Sequence, residues 1–155
     1  MRPMTNSKVA YLGGVTAGTT WQDILIREIQ SIELRIGHYV DVIDTRRDDW
    51  GKTVPTPMAR RDHTRWEYNM LRGSDFFFFA FTPESSSVMP LFELTQAFAA
   101  QGAKMVIYIH PDYPHKEQVE SYLYARHLDR FGVARDMESA IKKFKELFLE
   151  SAFCT

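Results

Sequence analysis

The chain has 155 residues, of which 45% are hydrophobic and 25% are charged, and its formal net charge is -1. This length and composition are typical of one globular domain with its own core, which we assign to residues 1–155. A charge so close to zero and the lack of a long apolar segment argue against nucleic-acid and membrane partners.

Cysteine content and the N-terminus indicate the compartment. Cys154 is the single cysteine, which excludes an internal disulfide and a cysteine-based metal cluster. The first residues, Met-Arg-Pro-Met-Thr-Asn-Ser-Lys, lack the apolar segment of a secretory signal. We therefore expect a cytoplasmic protein in a reducing compartment.

The first predicted elements are a strand over residues 8–12, a glycine loop, and an amphipathic helix over residues 20–36. In the loop, Gly13, Gly14 and Thr16 can present backbone N–H groups to a phosphate or a hydroxyl of a ligand. The loop is neither a G-x-G-x-x-G nor a Walker motif, so this expectation is a general one.

A second strand is predicted over residues 39–43 and a second helix over residues 58–72. The long polar loop between them contains Arg46 and Arg47, which can meet an anionic ligand.

Glu67 is the carboxylate of interest on the second helix. It follows Trp66, which we assign with Met70 and Leu71 to the inward side of the helix. A structural interpretation competes with a functional one, because Thr64-x-x-Glu67 is also a capping-box pattern.

The centre of the chain is the aromatic run Phe-Phe-Phe-Phe-Ala-Phe, within a strand predicted over residues 74–81 and buried on both faces. After a polar loop, Pro90 fits the first position of a helix over residues 90–101. Glu93 then lies in the first turn, where backbone amides and the helix dipole keep a carboxylate ionised. Such a carboxylate can act as a nucleophile, or it can simply be a favourable first-turn charge.

The rest of the chain continues the alternation. Predicted elements are a strand over residues 104–109, a helix over 115–128, a strand over 131–134, and a helix capped by Asp136. This pattern predicts an α/β fold, a flavodoxin/Rossmann-like three-layer sandwich with a mostly parallel five-stranded sheet. Such sheets bind ligands at the carboxyl ends of their strands, where the strand order reverses.

With these residues identified, the chain resembles the nucleoside 2-deoxyribosyltransferase-like family. Four motifs carry the resemblance, in order, over roughly residues 8–110: Tyr11-Leu12-Gly13-Gly14, the stretch from Thr16 to Trp21-Gln22, Trp66-Glu67 ahead of Ser74-Asp75, and the polar loop before Phe92-Glu93-Leu94.

The resemblance implies cleavage or transfer at the N-glycosidic bond of a (2-deoxy)nucleoside or nucleotide. As in retaining glycosidases, one carboxylate would attack the anomeric carbon to form a covalent glycosyl-enzyme, which a second base or water resolves. The resemblance assigns the attack to Glu93, orientation and proton handling to Glu67, and contact with Glu93 or the sugar to Tyr11. Two carboxylates can share these roles when Glu93 stays ionised and Glu67 is buried beside Trp66.

The substrate loop departs from the family pattern. Ser87 stands six residues before Glu93, where transferases of the family tend to carry an acidic residue. Together with Ser85 and Ser86 it can hold a 5′-phosphate, and Met89 is assigned to the same substrate-binding loop. This favours a nucleoside 5′-monophosphate hydrolase; a merely flexible serine loop is the alternative.

Two further functions stay open. A TIR-like NAD glycohydrolase would share the sheet layout and a catalytic glutamate, although no distinctive TIR signature is present. A non-catalytic nucleotide-binding or sensor domain is kept open by Ser87 and by Thr95, which replaces the usual glycine of the family.

The histidines lack metal-site spacing, so no metal and no cofactor are expected. The resemblance implies a homo-oligomer, a dimer or larger, whose partners are a nucleoside or nucleotide substrate and, for a transferase, a free nucleobase.

Overall fold

The computed structural model describes residues 8–16, 19–36, 40–46, 57–84, 90, 94, 104–125 and 132–153. Its elements in chain order are β1 Lys8–Gly14, α1 Trp21–Ile36, β2 Val40–Asp44, α2 Pro57–Arg72, β3 Phe76–Phe81, β4 Lys104–Ile109, α3 Lys116–Ala125, β5 Val133–Ala134 and α4 Met137–Phe153. Of the helix predicted over residues 90–101, Pro90 and Leu94 are helical and buried, and the others lie outside the described residues.

The five strands form one sheet in the order β2-β1-β3-β4-β5, and every pair of neighbours is parallel. The chain moves outward from β1 to β2 and then crosses back over β1 to reach β3, so the strand order reverses between β1 and β3. In open parallel sheets the ligand crevice lies at this reversal, outside the carboxyl ends of the strands. The predicted fold class is confirmed.

The central strand β3 is buried along its whole length, as the aromatic run predicts. Its side chains alternate between two cores. On the α1 face of the sheet, Phe76 and Phe78 pack with residues of α1 and α4. On the α2 face, Phe77, Phe79 and Phe81 pack with Leu71 of α2, Leu94, and Val119 and Leu123 of α3. The sheet is therefore the middle of three layers.

Aromatic pairs join the α1 face to its helices. The ring of Phe78 lies 5.3 Å from that of Phe144, and the ring of Phe76 lies 4.4 Å from that of Phe148. Each such pair contributes about 0.5–1.5 kcal/mol beyond its buried area. The predicted cap of α4 is also present, because the Ser139 backbone N–H donates to Asp136 Oδ1 at 2.8 Å.

Of the predicted inward side of α2, Leu71 is buried and Met70 packs against the core, but two other expectations about this helix are wrong. Trp66 is 38% exposed, whereas His63 is buried. Thr64 cannot cap α2, because the helix begins at Pro57; its hydroxyl donates to the carbonyl of Arg60 at 2.9 Å. The structural interpretation of the Thr64-x-x-Glu67 pattern therefore fails.

Candidate functional site

The candidate site lies at the carboxyl edge of the sheet, where β1 and β3 separate. The Val15 backbone N–H donates to the carbonyl of Ala80 at 2.7 Å, just beyond the last residue of β1. Gly14 makes this approach possible: its φ is 99°, and a Cβ there would lie 2.3 Å from the Ala80 oxygen. Only glycine adopts this conformation without strain. Gly14, which was predicted to bind ligand, is therefore required for the close contact between the end of β1 and Ala80 of β3.

Tyr11 and Gly13 lie on the α2 face of β1. The Tyr11 side chain is fully buried, and its ring lies 6.2 Å from that of Phe77 and 6.1 Å from that of Phe79. A Cβ on Gly13 would lie 2.7 Å from Tyr11 Cε1 and 2.8 Å from Phe79 Cε1. The glycine therefore leaves the space in which these two aromatic rings meet.

Thr16 lies just past this turn and is half-buried. Its carbonyl accepts a hydrogen bond from the Thr19 N–H at 3.3 Å and another from Thr19 Oγ1 at 2.9 Å. The carbonyl of Thr16 thus binds the turn that leads into α1.

Glu67 lies on α2, and its carboxylate contacts His63 Nε2 one helical turn earlier. The His63 and Glu67 side chains are only 6% and 16% exposed, and the imidazole stacks on Trp66 with 5.5 Å between ring centroids. Burial of Glu67 was expected beside Trp66, but the group that it contacts is His63. A largely buried carboxyl group in contact with an imidazole is an arrangement that general acid–base catalysis uses.

The α2 face brings three elements of the candidate site together. Tyr11 of β1, Leu71 of α2 and Leu94 belong to one buried cluster. Leu71 follows Glu67 by one helical turn, and Leu94 directly follows Glu93. Glu93 itself lies outside the described residues, as do Ser85, Ser86, Ser87 and Met89.

Arg46, expected as an anion-binding group, is bound by two carboxylates. Its guanidinium pairs with Asp44 Oδ2 at 2.6 Å and with Asp23 Oδ1 at 2.8 Å. Hydrogen bonds to Asp44 and Asp23 raise the pKa of Arg46, and the bond to Arg46 lowers the pKa of Asp23. Arg46 therefore ties the end of β2 to the start of α1, and its charge is already compensated. Arg47 lies outside the described residues.

The β4 side of the carboxyl edge is aromatic and acidic. Tyr108 is buried, and its ring meets His110 edge-on at 6.4 Å. Burial raises the pKa of Tyr108, and the negative charges of Glu84 and Asp136 raise it further. His110 Nδ1 accepts a hydrogen bond from the Asp112 N–H at 3.0 Å, so this histidine orders its own loop.

Sequence reasoning missed His63 and Thr82. Spacing from Glu67 by four residues on a helix was the available signal for His63. Thr82 directly follows β3 and is 5% exposed, and the available signal was its position in the segment expected at the carboxyl end of the central strand. Within the described ranges, no group of three His, Cys, Asp or Glu side chains is arranged to hold a metal ion, and no helix is long and apolar enough to cross a bilayer.

Solved structures of similar fold include a CMP N-glycosidase, BcmB, from Clostridium botulinum, with a TM-score of 0.51 and 13% identity over 88% of this chain and 97% of that chain. Another is the TIR domain heterodimer of RPS4 and RRS1, with a TM-score of 0.57 and 13% identity over 95% of this chain and 99% of that chain. At 13% identity, these two similarities show that the chain shares this fold and carry no conclusion about its activity.

No curated protein matches this chain significantly in sequence. A sequence profile described as nucleoside 2-deoxyribosyltransferase like matches residues 7–113, which include Tyr11, Glu67 and Glu93. Because this match covers more than half of the chain, the protein belongs to the nucleoside 2-deoxyribosyltransferase-like family.

Proposed function

We propose that this protein cleaves or transfers at the N-glycosidic bond of a (2-deoxy)nucleoside or nucleotide, with Glu93 as its nucleophile. One observation carries the proposal beyond family membership. The buried Tyr11, the core residue that follows Glu93, and the helix that bears the His63–Glu67 pair meet on one face of the sheet. That face adjoins the strand reversal where α/β sheets bind ligands.

The proposed reaction has two steps. A carboxylate oxygen of Glu93 attacks the anomeric carbon, the bond from that carbon to the base nitrogen breaks, and its electron pair stays on the base. Glu67 in its acid form supplies a proton to the departing base and then, as a base, removes one from the incoming water or nucleobase. The acceptor attacks the anomeric carbon and releases Glu93.

The remaining predicted residues have supporting roles in this proposal. Tyr11 orients Glu93 or contacts the sugar, and backbone groups of Gly13, Gly14 and Thr16 line the β1 side of the crevice. The loop with Ser85, Ser86, Ser87 and Met89 contacts the substrate from the β3 side.

A hydrolase of nucleoside 5′-monophosphates is the second candidate, and Ser87 is the observation that favours it. A serine takes the place of the acidic residue usual in transferases of the family, so no carboxylate at this position repels a substrate phosphate. The CMP N-glycosidase of similar fold acts, by its name, on a monophosphate. Arg46 is excluded from this phosphate role by its two carboxylate partners.

The test measures base release from a panel of nucleosides and their 5′-monophosphates, with and without a second free base. Glu93→Gln should abolish turnover, by at least about a thousandfold, because it removes the nucleophile. Glu117→Gln is the matched control, since Glu117 is an exposed first-turn carboxylate of α3 and should retain wild-type rates.

The outcomes separate the candidates. Turnover that requires a second base indicates a transferase, and turnover in water on monophosphates alone indicates the hydrolase. A mass increase on Glu93 after incubation with a 2-fluoro nucleoside would trap the covalent intermediate. Consumption of NAD would instead support the TIR-like function, and tight binding without any turnover would support the sensor.

A further inference from the structure

Thr82 occupies the point where β3 separates from β1. The last described hydrogen bond between these strands joins the Val15 N–H to the Ala80 carbonyl. On the other side of β3, the His110 N–H still donates to the Phe81 carbonyl at 2.9 Å. Among the described residues, β3 is thus bonded to β4 one residue beyond its last bond to the chain that follows β1. In open parallel sheets, the ligand crevice lies at such a strand reversal.

The hydroxyl of Thr82 is buried, yet it makes no hydrogen bond with any residue that the structure describes. Thr82 as a whole is 5% exposed, so bulk water cannot supply the missing hydrogen bond to its hydroxyl. A buried hydroxyl without a partner destabilises the folded state, and native proteins rarely keep one without a reason. Thr45, which follows β2, has the usual arrangement, since its buried hydroxyl donates to the Leu12 carbonyl at 2.9 Å.

The charges described at this edge of the sheet are mainly acidic. Glu84 follows Thr82 by two residues, and its charge acts together with that of Asp136 on Tyr108. On the β2 side, the single positive charge of Arg46 is paired with two carboxylates, Asp23 and Asp44. The Thr82 hydroxyl is itself uncharged and can both donate and accept, so it suits a neutral polar group of a ligand.

We propose that the Thr82 hydroxyl hydrogen-bonds an uncharged polar group of the nucleoside, on its sugar or base, and so helps to determine substrate specificity. This inference rests on the proposed function and adds a binding residue to it. Bound substrate would then satisfy a hydroxyl that the free protein leaves unsatisfied.

The test compares Thr82→Val with Thr82→Ser and with Thr45→Val. Valine has the shape of threonine without the hydroxyl, so Thr82→Val should keep or raise the midpoint of thermal unfolding. It should also lower kcat/KM, and the affinity measured by calorimetry, about three- to tenfold for nucleosides and their monophosphates alike. Thr82→Ser should stay near wild type. Thr45→Val should lower the unfolding midpoint, because it breaks an existing hydrogen bond.

Three results would overturn the inference. Unchanged affinity in Thr82→Val would mean that the hydroxyl does not meet the ligand. A fall in unfolding midpoint as large as that of Thr45→Val would mean that it is bonded within the protein. A loss restricted to monophosphates would mean that it binds phosphate. If wild type binds the panel without turnover, the proposed function fails and Thr82 is judged from affinity; if wild type binds nothing, both fail.

Discussion

At the scale of single residues, the partner of Glu67 decides what this carboxylate can do. The contact with His63 joins two side chains that are both largely buried. A buried carboxyl group without a hydrogen-bond partner is destabilising, so contact with the imidazole fixes the orientation of Glu67. We therefore infer that His63 is a positioning residue that acts through Glu67.

Replacing His63 by Asn tests this positioning role. His63→Asn and Glu67→Gln should each lower kcat/KM for base release, by about a hundredfold, which is typical of a lost acid–base group. The double variant should be no slower than the slower single variant, because residues that act as a unit are not additive. The rates are measured across a range of pH for all three variants.

If the fold-loss in kcat/KM of the double variant equalled the product of the two single losses, the two residues would act independently, and the coupling of His63 to Glu67 would be contradicted. A His63→Asn pH profile identical in shape to that of the wild type would contradict it as well. Thr64→Ala is a suitable control on the same helix, since its hydroxyl only bonds the preceding turn and its side chain is exposed.

At the scale of elements, the turn after β1 depends on one glycine. Gly14 has a left-handed φ of 99°, and the Ala80 oxygen occupies the place of a Cβ. Gly73, at the end of α2, is different, because a Cβ there would meet only backbone oxygens at 3.8 and 3.9 Å.

Gly14→Ala should therefore lower the free energy of unfolding by about 2 kcal/mol or more, from strain and from displacement of β1. Gly73→Ala should change it by no more than about 1 kcal/mol. Urea unfolding of the two variants checks this difference. Equal stabilities would show that the β1–β3 contact is looser than the structure indicates.

At the scale of the whole molecule, carboxylates at helix starts link stability to pH. The backbone and hydroxyl of Ser139 lower the pKa of Asp136 below its usual value of 3.8, and Arg46 does the same for Asp23. A pKa that is lower in the folded state contributes stability that is present above the unfolded pKa, about 4. This contribution disappears as the pH falls through the folded pKa.

Asp136→Asn isolates this effect, because Asn is an equally good cap but does not titrate. At pH 7 the variant should unfold close to the wild-type midpoint. Between about pH 5 and pH 2 its midpoint should fall less steeply than that of the wild type. Thermal unfolding followed by circular dichroism across this range measures both slopes, and parallel slopes would contradict the assignment.

The sequence by itself determined the features that arise between neighbours along the chain. The aromatic run predicted a strand buried on both faces, alternation predicted a parallel α/β sheet, and Asp136 predicted a helix cap. These depend on periodicity and local hydrogen bonds, which a linear pattern contains. The predicted roles of Tyr11, Glu67 and Glu93 came from the resemblance and stay predictions, as does the homo-oligomer.

The tertiary structure alone decided which distant groups meet. It placed β1 beside β3, paired Arg46 with Asp23 and Asp44, and left the Thr82 hydroxyl buried without a hydrogen-bond partner among the described residues. It also buried His63 instead of Trp66, since both spacings fit a helix and only packing against the sheet selects the buried side. Such contacts depend on strand order, and no local pattern in the chain specifies that order.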